Sequence, residues 1–175
     1  GVYRREVIVD YINHLVLKEI PFSLALIDVD NFKYVNDTFG HLTGDKIIQE
    51  VSKKLKSLIK DVGVIGRFGG DEFILVFEGI IEYNELWSIC HNKIGKINGL
   101  TLKEFNGLNI TITQGLSRFP QNGKNYTELL ETADKALYRG KTKGRNCFII
   151  YLDEKHKNIK LKTDSDSALS SMYLH

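Results

Sequence analysis

The sequence predicts an α+β domain: a mostly antiparallel central sheet with a ferredoxin-like β-α-β-β-α-β core, helices packed against it, and an added hairpin. Three observations carry that prediction. First, 175 residues at 42% hydrophobic and 26% charged have the size and balance of one domain with a full core. Second, stretches with helical spacing alternate with strand-length apolar runs in the order helix, strand, helix, strand-turn-strand, helix, hairpin, helix, strand. Third, Gly69-Gly70 and Asn106-Gly107 stand between strand-type runs, as hairpin turns do. Many unrelated functions share such a sheet, so function has to be read from particular residues.

Composition removes several classes. A net charge of +2 and the lack of a Lys/Arg tract with interleaved aromatics argue against a nucleic-acid partner. Cys90 and Cys147 have no metal-type spacing and suit reduced thiols. No apolar run reaches the roughly 20 residues that span a bilayer, and no signal-peptide pattern opens the chain. A soluble cytoplasmic domain without membrane contact of its own is expected. Met172 is the only methionine. The chain is therefore expected to be a piece of a longer protein, with a sensory or regulatory domain elsewhere, unless an initiator methionine is removed ahead of Gly1.

Val7, Ile8, Tyr11, Ile12, Leu15 and Val16 recur at helical spacing and predict an amphipathic opening helix that Pro21 closes off. Arg4 and Arg5 fall in its first turn, where the helix dipole disfavours cations; that position suggests a partner for them, but a solvated face is the simpler reading. Phe22 to Asp30 is a nearly continuous apolar run, the mark of a strand covered on both sides. It ends in Asp28 and Asp30, on one side by the period of two, with Val29 opposite.

The stretch Asn31 to Asp45 is polar and glycine-punctuated, and reads as a loop anchored by Phe32, Val35 and Phe39. Lys33 could meet phosphate there, or be a solvated lysine. Asn36 and Asp45 could recognise a base edge. A carboxylate accepting from a ring N–H and an exocyclic amine suits guanine; Asp45 could equally be favourable charge at a helix N-terminus. Ile47, Ile48, Val51, Leu55, Leu58 and Ile59 stripe the next helix, and its lysines read as its wet side.

Val64-Ile65 and Phe73 to Phe77 flank Gly66-Arg67-Phe68-Gly69-Gly70-Asp71-Glu72 as two strands joined by a tight turn. Glycine there tolerates positive φ and lets backbone approach a ligand. Leu86, Cys90, Ile94 and Ile97 mark a third helix. Leu102 to Phe105 and Leu108 to Thr113 read as a hairpin about Asn106-Gly107. Leu129, Leu130, Ala133, Ala136 and Leu137 form the last long helix, and Asn146 to Tyr151 a final strand. Residues 1–151 are thus expected to be the domain, and 152–175 a polar linker or tail.

Asp71 and Glu72 stand at the head of a strand built for burial. An unpaired buried carboxylate costs several kcal/mol, so such groups are paired, protonated or metal-bound. An isolated Gly-Gly-Asp-Glu reads as an exposed acidic turn. Asp28, Asp30, Asp71 and Glu72 together make up to four hard oxygen donors at two strand mouths. Oxygen-only donors favour Mg²⁺ or Mn²⁺ over zinc, and Mg²⁺ held by one or two carboxylates is usually completed by substrate phosphates.

Gly69-Gly70-Asp71-Glu72-Phe73 spells the motif of the GGDEF family of diguanylate cyclases, which the chain resembles from Gly1 to about Tyr151. Other matches fall in order: Asp28 to Lys33, Asn36 to His41 with Gly44-Asp45, Arg67, and Ala133 to Tyr138 through Gly144-Arg145-Asn146. The resemblance implies condensation of two GTP into cyclic di-GMP and two pyrophosphates, with a homodimer presenting one nucleotide from each domain. It implies that Asp28, the Val29 carbonyl, Asp71 and Glu72 hold Mg²⁺. It also implies that Asp71 helps deprotonate the attacking 3′-hydroxyl and that Lys33 stabilises transition-state charge. Asn36 and Asp45 would bind guanine, with Phe32 and His41 in the substrate-binding set, and Lys141 and Arg145 would contact phosphates.

Two departures stand out. The family's product-inhibition motif, Arg-x-x-Asp, is replaced by Lys60-Asp61-Val62-Gly63, which predicts no feedback binding of that kind. Of the family's Leu-Thr-Gly turn only Gly1 remains, so low activity of this piece is expected. The alternative function is a GTP-binding regulatory module without turnover that controls an attached domain.

Overall fold

The computed structural model describes residues 2–97, 100–102 and 107–161. A five-stranded sheet runs β2 (Val64–Arg67), β3 (Glu72–Glu78), β1 (Phe22–Val29), β6 (Ile112–Phe119), β7 (Phe148–Ile150). All neighbours are antiparallel except β6 and β7. Strands β4 (Leu100–Leu102) and β5 (Leu108–Ile110) form a separate pair; of the turn expected between them Gly107 has φ 71°, and Asn106 lies outside the described residues.

Alternation along the strands divides the core into two layers. Leu24, Leu26, Ile74 and Val76 face α1 (Arg5–Leu17) and α5 (Tyr126–Lys143). Ala25, Ile27, Phe73, Leu75 and Phe77 face α3 (His41–Ile59) and α4 (Tyr83–Ser88). Since both faces are covered, every residue from Phe22 to Asp30 is buried, as a continuous apolar run requires. The α5 layer approaches β6 so closely that a Cβ on Gly115 would lie 2.1 Å from the Ala133 carbonyl oxygen.

Three expectations are corrected. The stretch expected as a packed loop is helical: α2 (Phe32–Phe39) and then α3, separated by Gly40 at φ 87°. Phe32, Val35 and Phe39 sit at i, i+3 and i+7, a helical spacing that the glycine punctuation obscures. Gly44 lies inside α3 for a steric reason: a Cβ there would meet Asn36 Oδ1 at 1.9 Å. Second, Ile112 and Thr113 do not belong to the hairpin; they begin β6, which pairs with β1 along its whole length. Asp30 N donates to the Thr111 carbonyl, so the chain turns from hairpin to central strand with hardly a break. Third, the segment after β7 is not wholly irregular. It opens with α6 (Asp153–His156), where His156 is buried and its Nδ1 accepts from Leu152 N at 2.9 Å. The helix expected around Leu86 to Ile97 is α4 continued by a π-helical turn, Ile89–Lys93, and a 3₁₀ turn, Ile94–Ile97.

Candidate functional site

Two strand ends bring the acidic residues together. Asp28 is the cross-strand partner of Glu72 in the β1–β3 register, so both carboxylates project to the α5 side of the sheet. The β2–β3 turn is pinned on both sides. Phe68 N and Gly69 N donate to the Glu72 carbonyl at 2.9 and 3.3 Å, and Val29 N donates to the Asp71 carbonyl at 3.1 Å. Arg67 Nε and Nη2 reach the carbonyls of Gly69 and Gly70 at 3.2 and 2.9 Å. The glycines do not serve positive φ, since neither Gly69 nor Gly70 has it. They serve space: a Cβ on Gly69 would lie 3.0 Å from Glu72 Oε2, while Gly70 faces open room.

One carboxylate oxygen from each of Asp28, Asp71 and Glu72 lies within 4.8 Å of the others. Burial and the neighbouring Asp28 charge push the Asp71 carboxyl up to about 7. Burial and Asp28 push Glu72 to about 7 as well, against the opposing pull of Lys141 and Arg5. Lys141 Nζ on α5 pairs with Asp28 Oδ2. Even so, Asp28 Oδ1 and Glu72 Oε2 are buried without a hydrogen-bond partner among the described residues. Orphaned carboxylate oxygens of this kind are rare because each carries its full desolvation cost. Three converging hard donors with unsatisfied lone pairs fit a Mg²⁺-type ion.

Asp30 does something else. Its Oδ1 accepts from Thr113 Oγ1 at 2.6 Å, and its Oδ2 from Thr111 Oγ1 at 2.7 Å and Asn146 N at 3.0 Å. It ties the end of β1 to the start of β6 and to the loop after α5. Both of its oxygens are engaged and it stands outside the converging group, so it is a structural carboxylate and not a fourth donor to the cluster.

Asn36 points its amide toward Gly44 and keeps a buried, unpartnered Oδ1. Gly44 precedes Asp45, which is exposed on the first turns of α3. Phe32 is partly buried against the core; Lys33 and His41 are exposed. Arg145 is exposed at φ 65°, just past the end of α5. Thus the fold gathers Asp28, Asp71, Glu72 and Lys141 into contact, and sets Lys33, His41, Asp45 and Arg145 on the surface, where no described side chain engages theirs.

Two further participants stand outside the expected site: for Arg5 the sequence favoured a solvated face over a partner, and Asp134 was given no role. Arg5 is half-buried, its guanidinium 4.4 Å over the Phe68 ring, and it lines a recess of about 380 Å³ with Gly69, Gly70, Asp71 and Glu72. Asp134, only 2% exposed on α5, adds to the negative field that raises Glu72. The signal for Arg5 was its place in a helix's first turn, where a cation needs a compensating partner. For Asp134 it was a charge on the apolar face of a helix.

The family model described as "Diguanylate cyclase, GGDEF domain" matches residues 2–147. "Diguanylate cyclase DosC" of Escherichia coli is 36% identical over 146 residues, 83% of this chain and 30% of that protein. "Cyclic di-GMP phosphodiesterase NbdA" of Pseudomonas aeruginosa is 30% identical over 141 residues, 81% of this chain and 18% of that protein. The chain therefore spans less than a third of either relative. Among solved structures, the active GGEEF domain of a diguanylate cyclase from Vibrio cholerae superposes with a TM-score of 0.76 at 28% identity, covering 87% of this chain and 99% of that one.

Proposed function

The chain belongs to the GGDEF domain family of diguanylate cyclases, and on that premise we propose that it condenses two GTP molecules into cyclic di-GMP with release of two pyrophosphates. The observation that carries the reading is the convergence of Asp28, Asp71 and Glu72 within 4.8 Å, with two of their buried oxygens unsatisfied. These carboxylates, with the Val29 carbonyl, would hold Mg²⁺ or Mn²⁺. A bound divalent cation neutralises phosphate charge and orients the triphosphate.

The chain's own groups then divide the work. In each half-reaction a 3′-oxygen forms a bond to the α-phosphorus of the facing nucleotide. The α-phosphorus–oxygen bond to the β-phosphate breaks, and pyrophosphate leaves. Asp71 takes the hydroxyl proton. Its proximity to Asp28 and Glu72 would place this acceptor beside the ion and the reacting nucleotide. Lys33 offsets charge in the transition state, and Lys141 and Arg145 hold phosphates. Asn36 and Asp45 bind guanine between α2 and α3, with Phe32 and His41 beside them. Tyr34, Phe39 and Leu42 are exposed on these same two helices, an apolar rim that suits closure of one domain against a second copy. Lys60-Asp61-Val62-Gly63 lacks both residues of the product-inhibition motif, so the domain is not feedback-inhibited there.

Incubation of concentrated protein with GTP and Mg²⁺, and with ATP in parallel, tests the proposal by following pyrophosphate and cyclic product. Product from GTP alone is expected. GTP binding without product in a dimeric sample would favour the second reading, a regulatory module without turnover. That reading draws on the relative named as a phosphodiesterase, of which this chain matches only 18%.

A further inference from the structure

At the β7 edge of the sheet, a groove of about 670 Å³ runs from α4 and its π-helical extension, on the face opposite Asp28, round to the edge of α5. Its size is that of a small-molecule site. Gln114 lies at its floor. In β6 Gln114 alternates with Thr113, so the sheet itself separates it from Asp30 and from the carboxylate cluster. Gln114 is 3% exposed, lines the groove, and leaves Oε1 without a hydrogen-bond partner among the described residues. A buried amide acceptor without a donor is a feature that a ligand N–H would satisfy.

The walls are aromatic. Trp87 and His91 stack with ring centroids 4.6 Å apart at 16°, and Phe148 meets Trp87 edge-on at 5.9 Å. Trp87 nevertheless stays 42% exposed, leaving a ring surface open for stacking. The rim is cationic: Arg139 and Lys143 stand one helical turn apart on α5, and no described residue lining the groove is acidic. Cations near a helix C-terminus are commonly just solvated, favoured by a dipole worth roughly half a negative charge. Two full positive charges outweigh that dipole for an incoming anion, and the dipole explains neither the buried Gln114 nor the open ring. Lys143 is also not part of the proposed catalytic set. Lys141, two residues earlier, points to Asp28, and two residues turn a helix by about 200°.

We propose that this groove binds a purine nucleoside monophosphate: the base stacks on Trp87 and donates an N–H to Gln114, and the phosphate meets Arg139 and Lys143. Asp28, Asp71 and Glu72 do not line the groove, so binding there does not require turnover at the cluster.

Trp87 is the only tryptophan, so its emission reports on this groove alone. The full chain is titrated with AMP, GMP, adenosine and inorganic phosphate, with free tryptophan as the absorbance control. Saturable quenching by AMP or GMP, weaker binding of adenosine, and competition by phosphate are expected. An Arg139→Gln/Lys143→Gln double variant, altered only at exposed positions, should bind about tenfold more weakly or worse, the scale of a lost charge-assisted contact. Gln114→Leu should weaken binding too, and Asp71→Asn should leave it unchanged. No saturable quenching at millimolar nucleotide, adenosine binding as tightly as AMP, or unchanged affinity in the double variant would each overturn the proposal.

Discussion

At the scale of single residues, the two aspartates that end β1 have separate jobs despite sharing a side of the strand. Asp30 is saturated by two hydroxyls and a backbone N–H, whereas Asp28 retains a buried oxygen without a partner. Asp30→Asn should lower stability by about 2–3 kcal/mol, as charge-assisted buried bonds do when one acceptor is lost, but keep a Mg²⁺-dependent rise in melting temperature. Asp28→Asn should abolish that rise. Thermal melts with and without Mg²⁺ distinguish the two outcomes.

The raised carboxyls add a pH signature of known sign. Asp71 and Glu72 move from 3.8 and 4.5 to about 7 in the folded chain. Between those limits the native state holds protons that the unfolded chain has released, so stability falls as pH rises. Metal-free protein in chelator should therefore melt several degrees lower at pH 8 than at pH 5. Mg²⁺ should reverse the trend, because it favours the ionised pair. A metal-free melting temperature that climbs over this range would contradict the burial assigned to these groups.

At the scale of elements, two glycines separate folding from recognition. At Gly115 an added Cβ meets backbone of α5, at 2.1 Å from the Ala133 oxygen and 2.3 Å from Leu137 N. Neither atom can move without displacing the helix from β6. Gly115→Ala should destabilise by about 3 kcal/mol, read from denaturant midpoints. At Gly44 the obstacles are side-chain tips, Asn36 Oδ1 first and the Phe32 ring edge at 3.1 Å, which can shift where a backbone cannot. Gly44→Ala should keep or slightly raise stability, since alanine is the better helix former. By turning Asn36 out of place, it should weaken GTP binding about tenfold, measured by calorimetry. Both glycines look alike as letters, and only the distance and identity of the neighbouring atom tell them apart.

At the scale of the whole molecule, the proposed catalysis by two facing domains would make turnover a bimolecular property. Initial velocity should rise with the square of protein concentration while the domain is mostly monomeric, so specific activity should climb with concentration. Stopped assays over a dilution series check this. Constant specific activity down to the lowest concentration would mean that dimerisation is not limiting or not needed. No helix among the described residues is long and apolar enough to cross a membrane.

Much of this was legible along the chain because it rests on local chemistry. The covered strand Phe22 to Val29, the stripe of α3 and the turn ahead of Asp71 all follow from periodicity and turn residues, whose physics acts within a few neighbours. The cluster was partly legible, since carboxylates at the ends of buried strands have to be compensated. The local pattern left four candidates, and the family resemblance pointed to Asp28, Asp71 and Glu72; the tertiary structure supplies the physical reason that these three converge. That convergence depends on the β1–β3 register that sets Asp28 opposite Glu72 and on two threonines more than 80 residues away, Thr111 just before β6 and Thr113 within it, that occupy Asp30. Arg5 over Phe68 and the groove above Gln114 were hidden for the same reason. Burial and the partners of a polar atom are properties of surfaces brought together from distant parts of the sequence, and no local pattern encodes them.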